Sequence, residues 1–256
     1  GNQITDSTSA YPNAAFTTVP PGYSGFSFSV AAQETTPQGI TSDGTFLYVA
    51  GDVQNTVFQY TFAGVYTGFS FGVGANPVGL NFYGTNFYVT DDTAQTVTEY
   101  TAAGVATGFS FSVPNNTRCA AFDGTHFYAT NTTTDTVDQY TAAGVATGFS
   151  FSTLSEGKNP WGIYVYQSDI YLIAYTSYNP TIYKYSKAGV YSGFSIVTVT
   201  QDNATTGVWY NGTNFYTSGW STDSVYKYNL QLNLVGDSTV RTSAMGDGQP
   251  LFIKLK

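Results

Sequence analysis

Charge is what this chain most lacks. Asp, Glu, Lys and Arg make up 9% of its 256 residues, against roughly 25% in an ordinary soluble protein. Eight basic residues stand against sixteen acidic ones, for a net charge of −8. No basic stripe can displace phosphate counterions, which excludes nucleic acid as a partner. The same balance disfavours an anionic membrane surface. No run approaches the roughly 20 apolar residues of a spanning helix, so helical membrane insertion is not expected. A single cysteine, Cys119, excludes an internal disulfide framework and a cysteine-built metal cluster. With a single histidine, His126, the chain has no His cluster for metal-assisted or proton-transfer catalysis. Helix-forming Glu, Lys, Arg and Met are equally scarce.

In their place stand aromatic residues and small hydroxyls. Aromatics reach 17%, with 22 Tyr and 19 Phe, and hydrophobic residues 42%. That is enough for a large core and excludes disorder, and it favours pleated, half-buried surfaces. The surface must be solvated mainly by Ser, Thr, Asn, Gln and Tyr. A chain of this length fits one closed all-β unit, and residues 1–256 are expected to form a single domain.

Repetition dominates the sequence. "YTAAGVATGFSFS" occurs twice, at Tyr100–Ser112 and Tyr140–Ser152. The triplet Gly-Phe-Ser begins at Gly25, Gly68, Gly108, Gly148 and Gly193, at spacings of about 40 to 45 residues. A degenerate sixth copy, "GDSTV", begins at Gly236. Within one period four short strands can be read: "PVGLNFYG" as strand a, "TNFYVT" as b, "TVTEY" as c and "TGFSFS" as d, joined by Gly-containing tight turns. Four strands in such a period is the signature of a propeller blade. A solenoid would need end caps.

The ends suggest how the ring closes. Pro250–Lys256 joined to Gly1–Phe28 equals in length the stretch Pro77–Phe111 of an intact repeat. The expected fold is therefore an all-β, six-bladed propeller of four-stranded antiparallel blades. Its sixth blade, residues 1–30 plus 246–256, takes strand a from the C-terminus and strands b–d from the N-terminus. Closure removes open sheet edges. Donation of Pro250–Lys256 to a neighbouring molecule is the alternative.

"PQGITSDGTFLYVAGD" (Pro37–Asp52) followed by "NTVFQYTFAG" (Asn55–Gly64) resembles the NHL-type six-bladed propeller repeat. The resemblance implies the architecture. It leaves function open, because such propellers include lyases, lactonases and binding modules for protein, RNA or glycan. The lyases and lactonases carry a His or carboxylate cluster with a metal at the channel mouth.

The a–b and c–d turns lie on one face of a propeller and are nearly constant here ("DGT" at Asp43 and Asp123, the "AGV" turns). That constancy is a folding requirement. The d–a and b–c loops lie on the other face and vary in length and chemistry. Specific recognition is expected on this variable face, from Glu34, Asp91, Asp92, Arg118, Lys158, Trp161, Tyr175, Tyr178 and Trp220. The three Trp and Tyr175 and Tyr178 could stack on sugar rings, although Trp209, inside a strand a, reads as blade-to-blade packing. The loop acids, which include Asp52, Asp202 and Asp247, read as ordinary solvated residues; Ca²⁺ is the cation such oxygen ligands would accept, but no D-x-D-x-D-G spacing is present and no metal site is assigned. His126 reads as an exposed residue away from the variable face, and Cys119 as a small buried residue where Gly39 and Gly79 stand in other repeats.

Four Asn-x-Ser/Thr sequons stand at Asn115, Asn131, Asn203 and Asn211, and Gly1 replaces an initiator Met. The expected role is a secreted, non-enzymatic structural or binding propeller. It would be a subunit or surface module of an extracellular filament, fibre, cell coat or virion, meeting protein partners or its own copies. A glycan-binding propeller is the first alternative, and a metal-assisted lyase or lactonase the second. No cofactor is expected.

Overall fold

The computed structural model describes residues 22–176 and 179–229. These form five four-stranded antiparallel sheets. Blade 1 contains β2 (Pro37–Ser42), β3 (Leu47–Gly51), β4 (Thr56–Tyr60) and β5 (Tyr66–Gly72). Blade 2 contains β6 (Pro77–Tyr83), β7 (Asn86–Asp91), β8 (Thr96–Thr101) and β9 (Ala106–Ser112). Blade 3 contains β10 (Thr117–Phe122), β11 (His126–Asn131), β12 (Thr136–Thr141) and β13 (Ala146–Ser152). Blade 4 contains β14 (Ile163–Tyr166), β15 (Asp169–Thr176), β16 (Asn179–Ser186) and β17 (Tyr191–Val197). Blade 5 contains β18 (Thr205–Tyr210), β19 (Asn214–Gly219) and β20 (Ser224–Asn229), and its outer strand is β1 (Gly22–Ser29). The a, b, c, d order read from the sequence holds in every blade.

The blade count is corrected from six to five among the described residues. β1, assigned from chain length to a split sixth blade, pairs antiparallel with β20, with Phe28 opposite Val225 and Ser29 opposite Ser224. Blade 5 then meets blade 1 directly. Ser218 Oγ donates to the Gln38 carbonyl at 2.7 Å, and Thr206 Oγ1 to that of Pro37 at 3.1 Å. The other parts assigned to the sixth blade, residues 1–21 and 246–256, lie outside the described residues, as does the "GDSTV" copy of the motif.

Two packing constraints explain this closure. The inner strands approach so closely that a Cβ on Gly79 would fall 2.6 Å from the Arg118 carbonyl, and one on Gly207 2.7 Å from that of Gln38. Blade 3 tolerates Cys119 at the matching position, buried with its Sγ 3.8 Å from the Ile163 carbonyl. The second constraint explains the doubled motif. The second Phe of "GFSF" lies under the c–d turn glycine of the next blade, Phe71 under Gly104, Phe111 under Gly144 and Phe151 under Gly189. Phe28 of β1 occupies the same place under Gly64 of blade 1, where a Cβ would fall 2.4 Å from the ring. These turn glycines also adopt φ of 77° to 81°, open to glycine at little cost.

The core lies between blades in five clusters, one per junction. Trp209 is buried in the cluster between blades 5 and 1, against Tyr216 and Phe62, so its packing reading holds. His126 opens β11 beside an a–b turn, where its N–H donates to Asp123 Oδ1 at 2.7 Å. That places it on the constant face.

Candidate functional site

The variable face is built from loops whose backbone N–H groups have no strand partner. Such groups need an acceptor when they are buried. Buried side-chain oxygens supply it. Glu34 Oε1 accepts from Thr36 N at 3.0 Å, and Oε2 from Gln54 N at 3.1 Å. Asp91 Oδ1 accepts from Thr93 N and Ala94 N at 2.9 and 2.7 Å. In blade 3, Asn131 Oδ1 does the same for Thr133 and Thr134. Asp202 accepts from Ala204 N at 2.6 Å, Ser221 Oγ at 2.9 Å and Thr222 Oγ1 at 2.6 Å. Glu34, Asp91 and Asp202 are 1%, 5% and 2% exposed, so the solvated-acid reading is corrected for these three. They fix loops by accepting from these N–H and O–H groups. Among the described residues no group of three or more His, Cys, Asp or Glu side chains could hold a metal ion.

Arg118, at the head of β10, ties three blades together. Its guanidinium donates to Asp92 of blade 2 at 2.7 Å and lies 4.7 Å from the ring centre of Trp161 at the start of blade 4. The planar fork suits both contacts.

Trp161 leads into a cavity of about 550 Å³ between blades 4 and 5, lined by Lys158, Asn159, Trp161, Tyr175, Ala204, Thr206 and Trp220. Its walls are fixed by the backbone. Lys158 and Tyr175 exchange a pair of hydrogen bonds at 2.9 and 2.7 Å, and Trp161 N donates to the Ile173 carbonyl at 2.8 Å. The loop before β14 is thus bridged to β15 at Lys158 and Tyr175. Trp161 and Tyr175 meet edge to face, with centroids 6.5 Å apart. The Tyr175 hydroxyl donates to the Thr205 carbonyl at 2.9 Å, and burial, aided by the charge of Asp202, raises its pKa and keeps it neutral. Trp220 is 48% exposed, large for a tryptophan with no core role. Lys158 is exposed and has no salt bridge among the described residues. Lys158 and three aromatic rings thus line this recess.

Of the residues singled out from the sequence, Lys158, Trp161, Tyr175 and Trp220 converge on this cavity, and Arg118 with Asp92 supports it from behind. Glu34 and Asp91 lie in other blades and act on loops. Tyr178 and Asp247 lie outside the described residues. Asn159, Ala204 and Thr206 were not singled out, because residues of these common types recur throughout the chain. Among the sequons, Asn115, Asn203 and Asn211 are exposed. Asn131 is 5% exposed with its amide oxygen engaged, so the folded chain has no room for a glycan there and that assignment is corrected. Cys119 is buried and burial pushes its thiol up to about 11, which suits a packing role and opposes a nucleophilic one.

No family model matches the chain, and no curated protein matches it. Among solved structures, Myxococcus xanthus glutaminyl cyclase is similar with a TM-score of 0.66 at 10% identity, over 80% of this chain and 94% of that one. A streptogramin B lyase gives 0.46 at 14% identity over 75% and 64%. BamB from Moraxella catarrhalis gives 0.42 at 10% identity over 76% and 58%. At 10% identity the likeness to the glutaminyl cyclase carries the fold alone, a β-propeller.

Proposed function

We propose that this chain is a non-enzymatic recognition propeller acting at a cell or particle surface, and that it binds carbohydrate in the cavity between blades 4 and 5. The observation that carries this reading is the cavity itself. Two indoles and a tyrosine offer apolar faces, while Lys158 and Asn159 offer polar groups beside them. Aromatic faces beside polar rims suit sugar rings, which have apolar C–H faces and hydroxyl edges. Proton-transfer chemistry needs a convergent acid and base, and the carboxylates around the cavity are held by other groups: Asp92 by Arg118, Asp135 by the Asn159 N–H, and Asp202 by loop donors. The NHL-like repeat remains part of this proposal as a resemblance in sequence. The surface location draws on the low charge and on the exposed sequons Asn115, Asn203 and Asn211.

A glycan array tests the proposal. The native protein should bind a set of related glycans, and Trp220→Ala should lose more than about tenfold in affinity. Trp220 is chosen because it packs into none of the five clusters, so its loss should leave the fold intact. An array without binding, or binding indifferent to this substitution, would remove the reading.

A second reading, self-assembly, draws on the outer strands. β1, β5, β9, β13 and β17 contain no charged residue, although exposed edges usually carry charge to prevent pairing. Negative-stain microscopy of concentrated protein should show ordered polymers if this edge is used, and only discrete particles if it is not.

A further inference from the structure

The a–b turn of blade 5 carries the chain's one Asn-Gly pair, Asn211–Gly212. Blades 1 and 3 place an aspartate at the same point, Asp43 before Gly44 and Asp123 before Gly124. All three side chains hold the turn in the same way. Asp43 Oδ1 accepts from Thr45 N and Phe46 N at 2.7 and 2.8 Å, and Asp123 Oδ1 from Thr125 N and His126 N at 2.8 and 2.7 Å. Asn211 Oδ1 accepts from Thr213 N and Asn214 N at 2.9 and 2.7 Å. The turn is therefore built alike around Asn or Asp. An Asn side chain bonded to the N–H two residues on curls over its own backbone, which carries Cγ toward the intervening nitrogen, that of Gly212. The two donors also polarise the Cγ–Oδ1 bond, as an oxyanion hole does. Gly212 has no side chain to shield its nitrogen, and Asn211, Gly212 and Thr213 are exposed to water. In blade 1 the Gly44 N–H donates to Ser42 Oγ at 2.9 Å. Tyr210 stands at that position in blade 5, and the Gly212 N–H has no acceptor among the described residues.

We propose that Asn211 is a self-modification site, at which the turn converts the asparagine to aspartate. The Gly212 nitrogen gives its proton to solvent and attacks Cγ; the N–Cγ bond forms, the Cγ–Nδ2 bond breaks and ammonia leaves. Water then opens the resulting succinimide, and cleavage of its N–Cγ bond gives aspartate. The net change is uptake of water and loss of ammonia. The aspartate inherits both turn hydrogen bonds, as in blades 1 and 3. Its new charge joins that of Asp43 in the lining of a cavity of about 520 Å³ on the constant-turn face. Asn211 also heads a sequon, and a glycan would sit on the same Nδ2, which neither turn bond uses. Glycosylated copies are therefore protected from the change. This inference does not depend on the reading of the variable face.

The full-length, unglycosylated protein is incubated folded at mildly alkaline pH, sampled over days and digested with trypsin. Asn203, Asn211 and Asn214 share the tryptic peptide Ala188–Lys227, so two of them serve as internal controls. Mass spectrometry should show Asn211 converting at least about tenfold faster than either control. A more acidic species should appear on anion exchange at the same rate. Gly212→Ala should slow both about tenfold. Because an alanine at φ 93° strains the turn, Asn211→Asp supplies a second arm. It should unfold at the native urea midpoint and co-elute with the acidic species. Conversion of Asn211 no faster than of Asn203, or a lowered midpoint in Asn211→Asp, overturns the proposal.

Discussion

Closure of the ring by β1 can be tested by a covalent staple. Ser29 and Ser224 are directly opposed across β1 and β20, and opposed residues in an antiparallel pair have Cβ atoms roughly 4.5 to 5.5 Å apart, near the reach of a disulfide. The double variant Ser29→Cys/Ser224→Cys should therefore oxidise within one chain. The native Cys119 is buried and its thiol is raised to about 11, so it should not compete. The bridge would close a loop of about 195 residues. The chain-entropy relation assigns about 5 kcal/mol to a loop of that length, an upper figure because engineered bridges often deliver less. The assay is intact mass and non-reducing electrophoresis, followed by urea unfolding with and without reductant. The expected result is a monomer lighter by two hydrogens, with a midpoint that falls on reduction. Disulfide-linked dimers would show that the strand is exchanged between molecules. Failure to oxidise in the folded state would refute the pairing itself.

Three further outcomes follow from the same structure. Gly79→Val should destabilise by about 3 kcal/mol or more, since the new Cβ would fall 2.6 Å from the backbone of blade 3; urea midpoints would show it, and a neutral result would refute the close inner packing. Asp202→Ala should cost about 2 to 3 kcal/mol by orphaning the donors of Ala204, Ser221 and Thr222, with Asp202→Asn costing less; equal losses in the two variants would contradict the hydrogen-bond account. Acid should weaken the fold only gradually. Burial raises the Asp123 carboxyl, but the Lys187 ammonium and the N–H groups of His126 and Thr125 outweigh it and hold its pKa below the usual range. Glu99 is held low likewise, burial being outweighed by Thr107, Asn86 and Tyr88. Both favour the fold above the ordinary carboxylate pKa of about 4 and lose that contribution as pH falls through their lowered folded values. Burial raises Asp138, which acts in the opposite sense and favours the fold at low pH. Lys187→Met should thus reduce stability at pH 7 by more than it does in acid, as read from urea unfolding across the pH range; a cooperative collapse of the native protein near pH 4 would contradict this account.

The strand order, the constant and variable faces and the inward place of Trp209 were legible because each rests on local pattern: period-2 alternation, turn glycines, and a tryptophan inside a strand. The blade number was not legible from chain length. A terminal strand d has the same length whichever blade it completes, so the match between the joined termini and an intact repeat could not distinguish a sixth blade from a fifth. A better signal lay in the inner strands. Gly39, Gly79, Gly162 and Gly207, with Cys119, mark five close approaches, while Phe252 stands at the matching place in "QPLFIK". The loop acids illustrate a second limit. Whether Glu34 or Asp202 faces water depends on where unpaired loop N–H groups point, and nothing in the local sequence reports that. Four members of the candidate cavity were found because aromatic and basic residues are rare enough in the variable loops to stand out.

Fluorine NMR of protein labelled with 5-fluorotryptophan tests the central claim most directly. The chain has three tryptophans, so three resonances are expected, assignable by single Trp→Phe variants. On titration with the tightest glycan from the array, the account predicts that Trp161 and Trp220 move along one saturation curve, distinct from any response at Trp209. If neither moves while binding saturates, the cavity between blades 4 and 5 is not the recognition site.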